Sequence, residues 1–96
     1  MKHLYYLTLE QYYRDGYRYE HPLSREWLRQ GEPVAFVDKS WHVCRANVKR
    51  PASIVGIALA DCRPNEGAFI AGEGGGILMV GQNGLPDGAV AVDGVD

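Results

Sequence analysis

The sequence predicts a small, mainly β domain that closes as an antiparallel barrel or sandwich. Twelve glycines and five prolines occur in 96 residues, which is above their average usage and favours short strands and turns over long helices. The chain also contains five to seven short apolar runs, each bounded by turn-forming residues, as is typical of buried strands. Full closure of such a sheet would remove its exposed edges.

Length, composition and charge narrow the classes of function. Ninety-six residues with 46% hydrophobic content are enough for one globular domain. A net charge of −2 argues against a nucleic-acid-binding protein. No apolar run reaches the roughly 18 residues that predict a membrane span, and the start of the chain has no signal-peptide pattern. Two cysteines do not form a disulfide framework, so we expect the protein to be made in a reducing cytoplasm.

The chain changes character near Gly31, and we predict an N-terminal aromatic arm over residues 1–30 and a β domain over residues 31–96. Residues 4–13 fit a strand or a short helix, and in the helical case Thr8 is a plausible N-cap and Gly16 the stop. The favoured site for the one short helix is residues 24–30, with Ser24 as the N-cap and Gly31 after the C-terminus.

From residue 31 onward the pattern alternates between strands and turns. Predicted strands cover residues 32–37, 41–46, 53–60, 68–71, 76–80 and 89–92. Predicted turns or connections cover residues 38–40, 47–51, 62–67, 72–76 and 81–84. The glycine-rich stretch at 72–76 is expected to form a hairpin tip, a bulge or a wide turn.

One combination of residues could carry chemistry. His42 and Cys44 would share a strand face, and Cys62 could approach from a neighbouring strand, as a metal site or a Cys–His nucleophile pair requires. Further ligands of suitable type are not fixed nearby, and a buried cysteine commonly behaves as a small hydrophobic residue. We therefore expect no metal, no cofactor and no catalytic residues, and keep a small metal- or ligand-binding barrel or enzyme as the alternative.

The aromatic residues of the arm are its most informative feature. Tyrosine, tryptophan and arginine are enriched at protein–protein hot spots, because they bury a large area at low entropy cost. We therefore expect the arm to bind a partner through seven side chains: Tyr5, Tyr6, Tyr12, Tyr13, Tyr17, Tyr19 and Trp27. Alternatively, these rings cover one side of the barrel. Stacking on single-stranded bases is disfavoured by the acidic residues between them.

Several short segments of the β domain resemble one protein family. Residues 31–34 (GEPV), residues 53–60 (SIVGIALA), Glu66-Gly67 and residues 75–78 (GGIL) follow one another in this order. The order resembles the small head-decoration (cement) proteins of tailed bacteriophages that have a tulip-like β domain. A G-(D/E)-P-V strand, a (V/I)-G-(I/V)-A strand and a late G-x-(V/I) strand recur in that family. The likeness covers about half of the chain, residues 31–80.

This resemblance implies a β-tulip-like fold and a structural, non-enzymatic role in a virion. The β domain would sit on an icosahedral shell, often as a trimer, while the N-terminal arm pairs with capsid subunits. The implied partner is the major capsid protein or another virion protein, with assembly in the host cytoplasm. Related modules occur in phage tails and fibres, so the position in the virion stays open.

Overall fold

The computed structural model describes residues 3–15, 19–37, 41–46, 54–81 and 85–92. Eight strands and one α-helix follow in chain order: β1 (His3–Leu7), α1 (Leu9–Asp15), β2 (Leu23–Ser24), β3 (Pro33–Val37), β4 (His42–Arg45), β5 (Ile54–Ala58), β6 (Ile70–Ala71), β7 (Ile77–Gly81) and β8 (Val90–Ala91). The strands form one sheet in the order β2-β4-β3-β5-β6-β7-β1-β8. The predicted mainly β class with one short helix is therefore confirmed. Since the sheet is not closed, the predicted barrel is not confirmed.

The N-terminal segment is built into this sheet. Strand β1 lies between β7 and β8 and pairs antiparallel with both, with His3 opposite Gly81 and Tyr6 opposite Val90. Strand β1, which lies within the predicted arm, is therefore part of the same sheet as the strands after residue 31. The other pairs of strands are also antiparallel, except β2 with β4, which run parallel.

The helix lies at one of the two positions that the sequence left open. After β1 ends, the Thr8 hydroxyl accepts a hydrogen bond from the backbone N–H of Gln11 at 3.2 Å. The Thr8 carbonyl accepts the first helical bond, from the Tyr12 N–H at 2.8 Å. Thr8 thus acts as the predicted N-cap. Residues 4–13 hold a strand and the start of a helix in succession, and Gly16 lies outside the described residues.

The helix predicted for residues 24–30 is wrong. Ser24 belongs to β2, and its N–H donates to the Glu66 carbonyl at 3.0 Å. Leu28 exchanges two backbone hydrogen bonds of 2.9 Å with Cys62. A helix of about two turns is marginal by itself. Pairing of this extended backbone with a distant segment replaces the local helical bonds and buries the Leu28 side chain.

Side chains of β1 and β7 are buried on both faces of the sheet. The first core cluster fills one side and consists of Leu4, Leu28, Val34, Val43, Val55, Ala58, Cys62, Ala68, Ile70, Leu78, Val80 and Val92. The second core cluster lies on the opposite side and consists of Tyr5, Leu7, Ile77 and Met79. Tyr12 of α1 packs against this second cluster. The helix therefore covers the outer face of β1 and β7.

The glycine-rich connection joins the antiparallel strands β6 and β7 and is thus a hairpin tip, one of the three predicted forms, with a short 3-10 helix over Glu73–Gly75. The Gly72 N–H donates to the Gly76 carbonyl at 2.7 Å, and Gly74 has a φ of 79° that L side chains rarely adopt. Gly72 also lies against the Tyr6 ring, with no room for a Cβ atom. The turns predicted at residues 38–40 and 47–51 lie outside the described residues, and so does all of the turn predicted at residues 81–84 except Gly81.

Candidate interaction surface

The seven aromatic side chains predicted to bind a partner differ in their burial and in the part of the core against which they pack. Tyr5 is fully buried in the second core cluster, because side chains alternate along β1 and this face packs against Tyr12 of α1 and Tyr19. Tyr6 is half-buried against the first core cluster, and its hydroxyl donates to the Val55 carbonyl at 2.8 Å. Tyr17 lies outside the described residues.

The remaining four aromatic residues differ in exposure. Tyr12 and Tyr19 are half-buried and pack on the second core cluster, where Tyr19 meets the Tyr5 ring edge-on at 6.4 Å. Tyr13 is 81% exposed and Trp27 is 54% exposed. Of the predicted residues that the structure describes, these two side chains are the most exposed and so the most available to a partner.

Tyr13 belongs to a ring cluster that bridges the helix and the sheet. The Tyr12 ring lies 5.7 Å from the Tyr13 ring, 5.7 Å from Phe69 and 5.9 Å from His21, each in an edge-to-face arrangement. The rings of His21 and Phe69 are 4.3 Å apart and tilted. Aromatic pairs of this geometry are stabilising beyond the area they bury, so the cluster holds Tyr13 beside the outer face of β6.

The outer face of β5 and β6 is apolar and partly exposed, and no described element lies over it. Ile57 pairs with Ala71, and the Leu59 N–H donates to the Phe69 carbonyl at 2.9 Å, so these side chains are cross-strand neighbours. Ile57, Leu59 and Phe69 are each between 41% and 51% exposed. We define the outer patch as Tyr12, Tyr13, Ile57, Leu59 and Phe69.

The sequence did not predict the part of the outer patch that the sheet supplies, which is Ile57, Leu59 and Phe69. Residues 53–60 are apolar at almost every position, which predicts burial on both faces. In the structure Val55 and Ala58 face the first core cluster, whereas Ile57 and Leu59 point away from it. The run of apolar residues contains no signal that would have shown which face stays uncovered.

Trp27 occupies a separate site on an anchored loop. Arg45 donates from its guanidinium to the Trp27 carbonyl at 3.2 Å and forms a 2.7 Å salt bridge with Glu32. The Arg45 N–H donates to the Glu26 carboxylate at 2.8 Å. The Arg63 guanidinium lies over the indole, 5.9 Å from its centroid. Trp27 is thus held on an ordered backbone while its ring stays exposed.

The alternative site at His42, Cys44 and Cys62 is not brought together. Cys62 is buried in the first core cluster beside Val43, whereas His42 and Cys44 alternate with Val43 along β4 and so point to the other face. Burial raises the pKa of both thiols. A nearby carboxylate raises each pKa further, Glu26 for Cys44 and Glu66 for Cys62. Both thiols therefore stay protonated and weakly nucleophilic at neutral pH. Among the residues that the structure describes, no three His, Cys, Asp or Glu side chains form a group that could hold a metal ion.

Comparison with protein-family models, characterised proteins and solved structures finds no match for this chain. In the described residues, no helix has the length and apolar character needed to cross a membrane. Function must therefore be argued from the surface of the molecule itself.

Proposed function

We propose that this chain is a non-enzymatic structural protein that docks on a partner protein through the outer patch. The observation that carries the proposal is the continuity of exposed rings and aliphatic side chains from Tyr13 on α1 to Phe69 and Ile57 on the sheet. Isolated exposed apolar residues are ordinary, whereas contiguous apolar patches mark interaction sites.

The energetic gain from covering this patch is substantial. Full burial of a tyrosine or phenylalanine removes roughly 150–250 Å² from water, at about 25 cal/mol per Å² of apolar area. Covering Tyr13, which is 81% exposed, would contribute on the order of 2–3 kcal/mol before ordering costs. Tyr12, Phe69 and His21 already hold the neighbouring rings in place, which lowers the entropy that docking must remove.

In its specific form, the proposal is that the assembly is a virion. The chain would act as a capsid decoration protein that binds the major capsid protein or another virion protein, after assembly in the host cytoplasm. Support comes from the resemblance over residues 31–80 together with the mainly β fold. Decoration proteins of this kind self-associate, and we propose a homo-oligomer, a trimer in the first instance. The sequence predicted that residues 1–30 alone supply the docking element, whereas in this proposal α1 and the sheet supply it jointly.

The test is a double substitution, Tyr13→Ser with Phe69→Ser, compared with Val90→Ser as a matched control. Val90 is 62% exposed but pairs with Tyr6, whose side chain packs on the first core cluster, so it faces away from the outer patch. Each variant is mixed with shells assembled from the capsid protein encoded in the same genome, and co-sedimentation is measured. Sedimentation equilibrium of the chain alone measures self-association.

We expect the double variant to lose co-sedimentation while Val90→Ser retains it, with the circular dichroism spectra of both unchanged. Binding by the double variant equal to that of the control would refute the outer patch as the docking site. Absence of binding by the unmodified chain would refute the virion form of the proposal.

A further inference from the structure

A pocket of about 500 Å³ opens at the end of the sheet where four parts of the chain meet. Backbone pairing between these parts of the chain forms the pocket walls. Glu20 forms an isolated bridge with Val80 of β7. Leu23 pairs with His42 of β4 and forms an isolated bridge with Gly67. Its volume lies within the range of ligand pockets in proteins. The pocket is distinct from the outer patch, since none of the five patch residues lines it.

The lining of this pocket combines one carboxylate with aromatic rings. Glu20 contributes the carboxylate, and His21, Trp41 and His42 contribute rings. The two salt bridges among the described residues join other pairs, so the Glu20 carboxylate has no cationic partner within the described part of the chain. No lysine or arginine is among the described residues that line the pocket. Within the described part of the chain, the site therefore presents a carboxylate without a cationic partner beside aromatic rings.

Trp41 is held at the pocket in a strained conformation. Its φ of 62° lies in the left-handed region, which is a genuine outlier for a bulky side chain. Its ring centroid lies 5.7 Å from that of Phe36, and the ring packs on the first core cluster, so the side chain is held in place at the pocket. Backbone strain of this kind is concentrated at binding and catalytic sites.

The imidazole of His21 is kept neutral and has unused hydrogen-bonding capacity. Burial lowers the pKa of His21, and a hydrogen bond with the backbone of Ala68 only partly opposes that shift. The buried Nδ1 atom has no hydrogen-bond partner among the described residues. A neutral ring adds no positive charge that would compete with a cation beside Glu20.

We propose that this pocket binds an organic cation, a guanidinium or primary ammonium group, paired with the Glu20 carboxylate and placed against the Trp41 indole. A carboxylate supplies a charge-assisted hydrogen bond, and an indole face is the strongest of the side-chain π-systems for cations. The cation could belong to an arginine or lysine side chain of a protein partner or to a free small amine. The inference does not depend on the outer patch being a docking site.

The test uses isothermal titration calorimetry with acetyl-arginine amide, and acetyl-citrulline amide as the neutral control of the same shape. We expect saturable binding of the arginine derivative and at least about tenfold weaker binding of the citrulline derivative, since a hydrogen bond to a charged group contributes about that factor. Glu20→Gln should weaken arginine binding by a similar factor. Glu10→Gln on α1, another exposed carboxylate, should leave it unchanged.

Nuclear magnetic resonance locates the site independently of these variants. On addition of acetyl-arginine amide, the indole N–H signal of Trp41 should shift, while that of Trp27 should not. Equal binding of both derivatives, the same shift for both indoles, or no binding of acetyl-arginine amide would each overturn the proposal. The unmodified protein supplies this result even if Glu20→Gln fails to fold.

A second pair of ligands separates the two sources of the cation. An arginine-containing tetrapeptide that binds more tightly than agmatine assigns the pocket to a side chain of a protein partner. The reverse order assigns it to a free amine. Both outcomes support a cation site.

Discussion

Replacing Tyr5 by phenylalanine removes one hydroxyl group from the second core cluster and keeps the ring. Tyr5 is fully buried, and its Oη atom has no hydrogen-bond partner among the described residues. Burial, followed by the proximity of Tyr19 and Glu20, raises the pKa of Tyr5 to about 12. The hydroxyl therefore loses its contacts with water on folding and gains no hydrogen-bond partner among the described residues.

The expected result is an increase in the free energy of unfolding. Burying an unpaired hydroxyl costs about 1–3 kcal/mol in proteins, and Tyr5→Phe should recover a large part of that cost. For a domain of this size, 1 kcal/mol corresponds to a change in Tm of about 4–8 °C. Tyr5→Ala should instead lower the free energy of unfolding by about 3–5 kcal/mol, because it deletes a buried ring.

The measurement is urea unfolding followed by circular dichroism, with Tyr6→Phe as the matched control. Tyr6 is its neighbour on β1, and its hydroxyl donates to the Val55 carbonyl at 2.8 Å. Removing that bond should lower the free energy of unfolding by about 0.5–1.5 kcal/mol. If Tyr5→Phe destabilises the protein as much as Tyr6→Phe does, the Tyr5 hydroxyl has a partner and the reasoning fails.

Three further predictions concern the turn after β6, a buried histidine and the thiols. Gly72→Ala should lower the free energy of unfolding in urea by about 1–3 kcal/mol, because the added methyl group must displace the Tyr6 ring; an unchanged value would contradict the close approach. Burial lowers the pKa of His21 below its unfolded value of about 6.5, so the unfolded chain takes up the proton first as the pH falls. Thermal melts should therefore show a stability loss between pH 7 and 5 that His21→Gln reduces, and equal slopes for the two proteins would exclude this role. Since burial raises the pKa of Cys44 and Cys62, a thiol reagent at pH 7.5 should react far more slowly with the native protein than with the unfolded chain, and equal rates would show an accessible thiolate.

The strands after residue 31 were predictable from the sequence because turn-forming residues mark their ends, whereas β1 was left open and β2 was missed. Strand β3 begins at Pro33, and the glycines of residues 72–76 separate β6 from β7. The position of the helix was not predictable in this way. Ser24 and Gly31 carry the local signals of helix ends, yet long-range backbone pairing between Leu28 and Cys62 decides the conformation there. Thr8, which carried the same kind of signal, does begin a helix.

The candidate site was only half predictable for a related reason. Aromatic composition indicated an interaction surface near the N-terminus, and Tyr13 is indeed exposed. The patch residue Ile57 belongs to β5 and Phe69 directly precedes β6, and both segments are apolar at almost every position. Whether such a face is covered depends on where α1 lies, and α1 covers β1 and β7 but leaves the outer face of β5 and β6 open.

The place of β1 in the sheet has a consequence for how the molecule folds. The first strand of the chain finds both of its partners near the other end, with Leu7 opposite Ile77 and Tyr5 opposite Ala91. Loop closure over so long a separation must precede any gain from these contacts, and chains dominated by such contacts fold slowly. During synthesis, β1 is made long before β7 and β8, so Tyr5 and Leu7 stay exposed to solvent until those strands are available. A chaperone that holds this segment would thus act on the residues that later form the second core cluster.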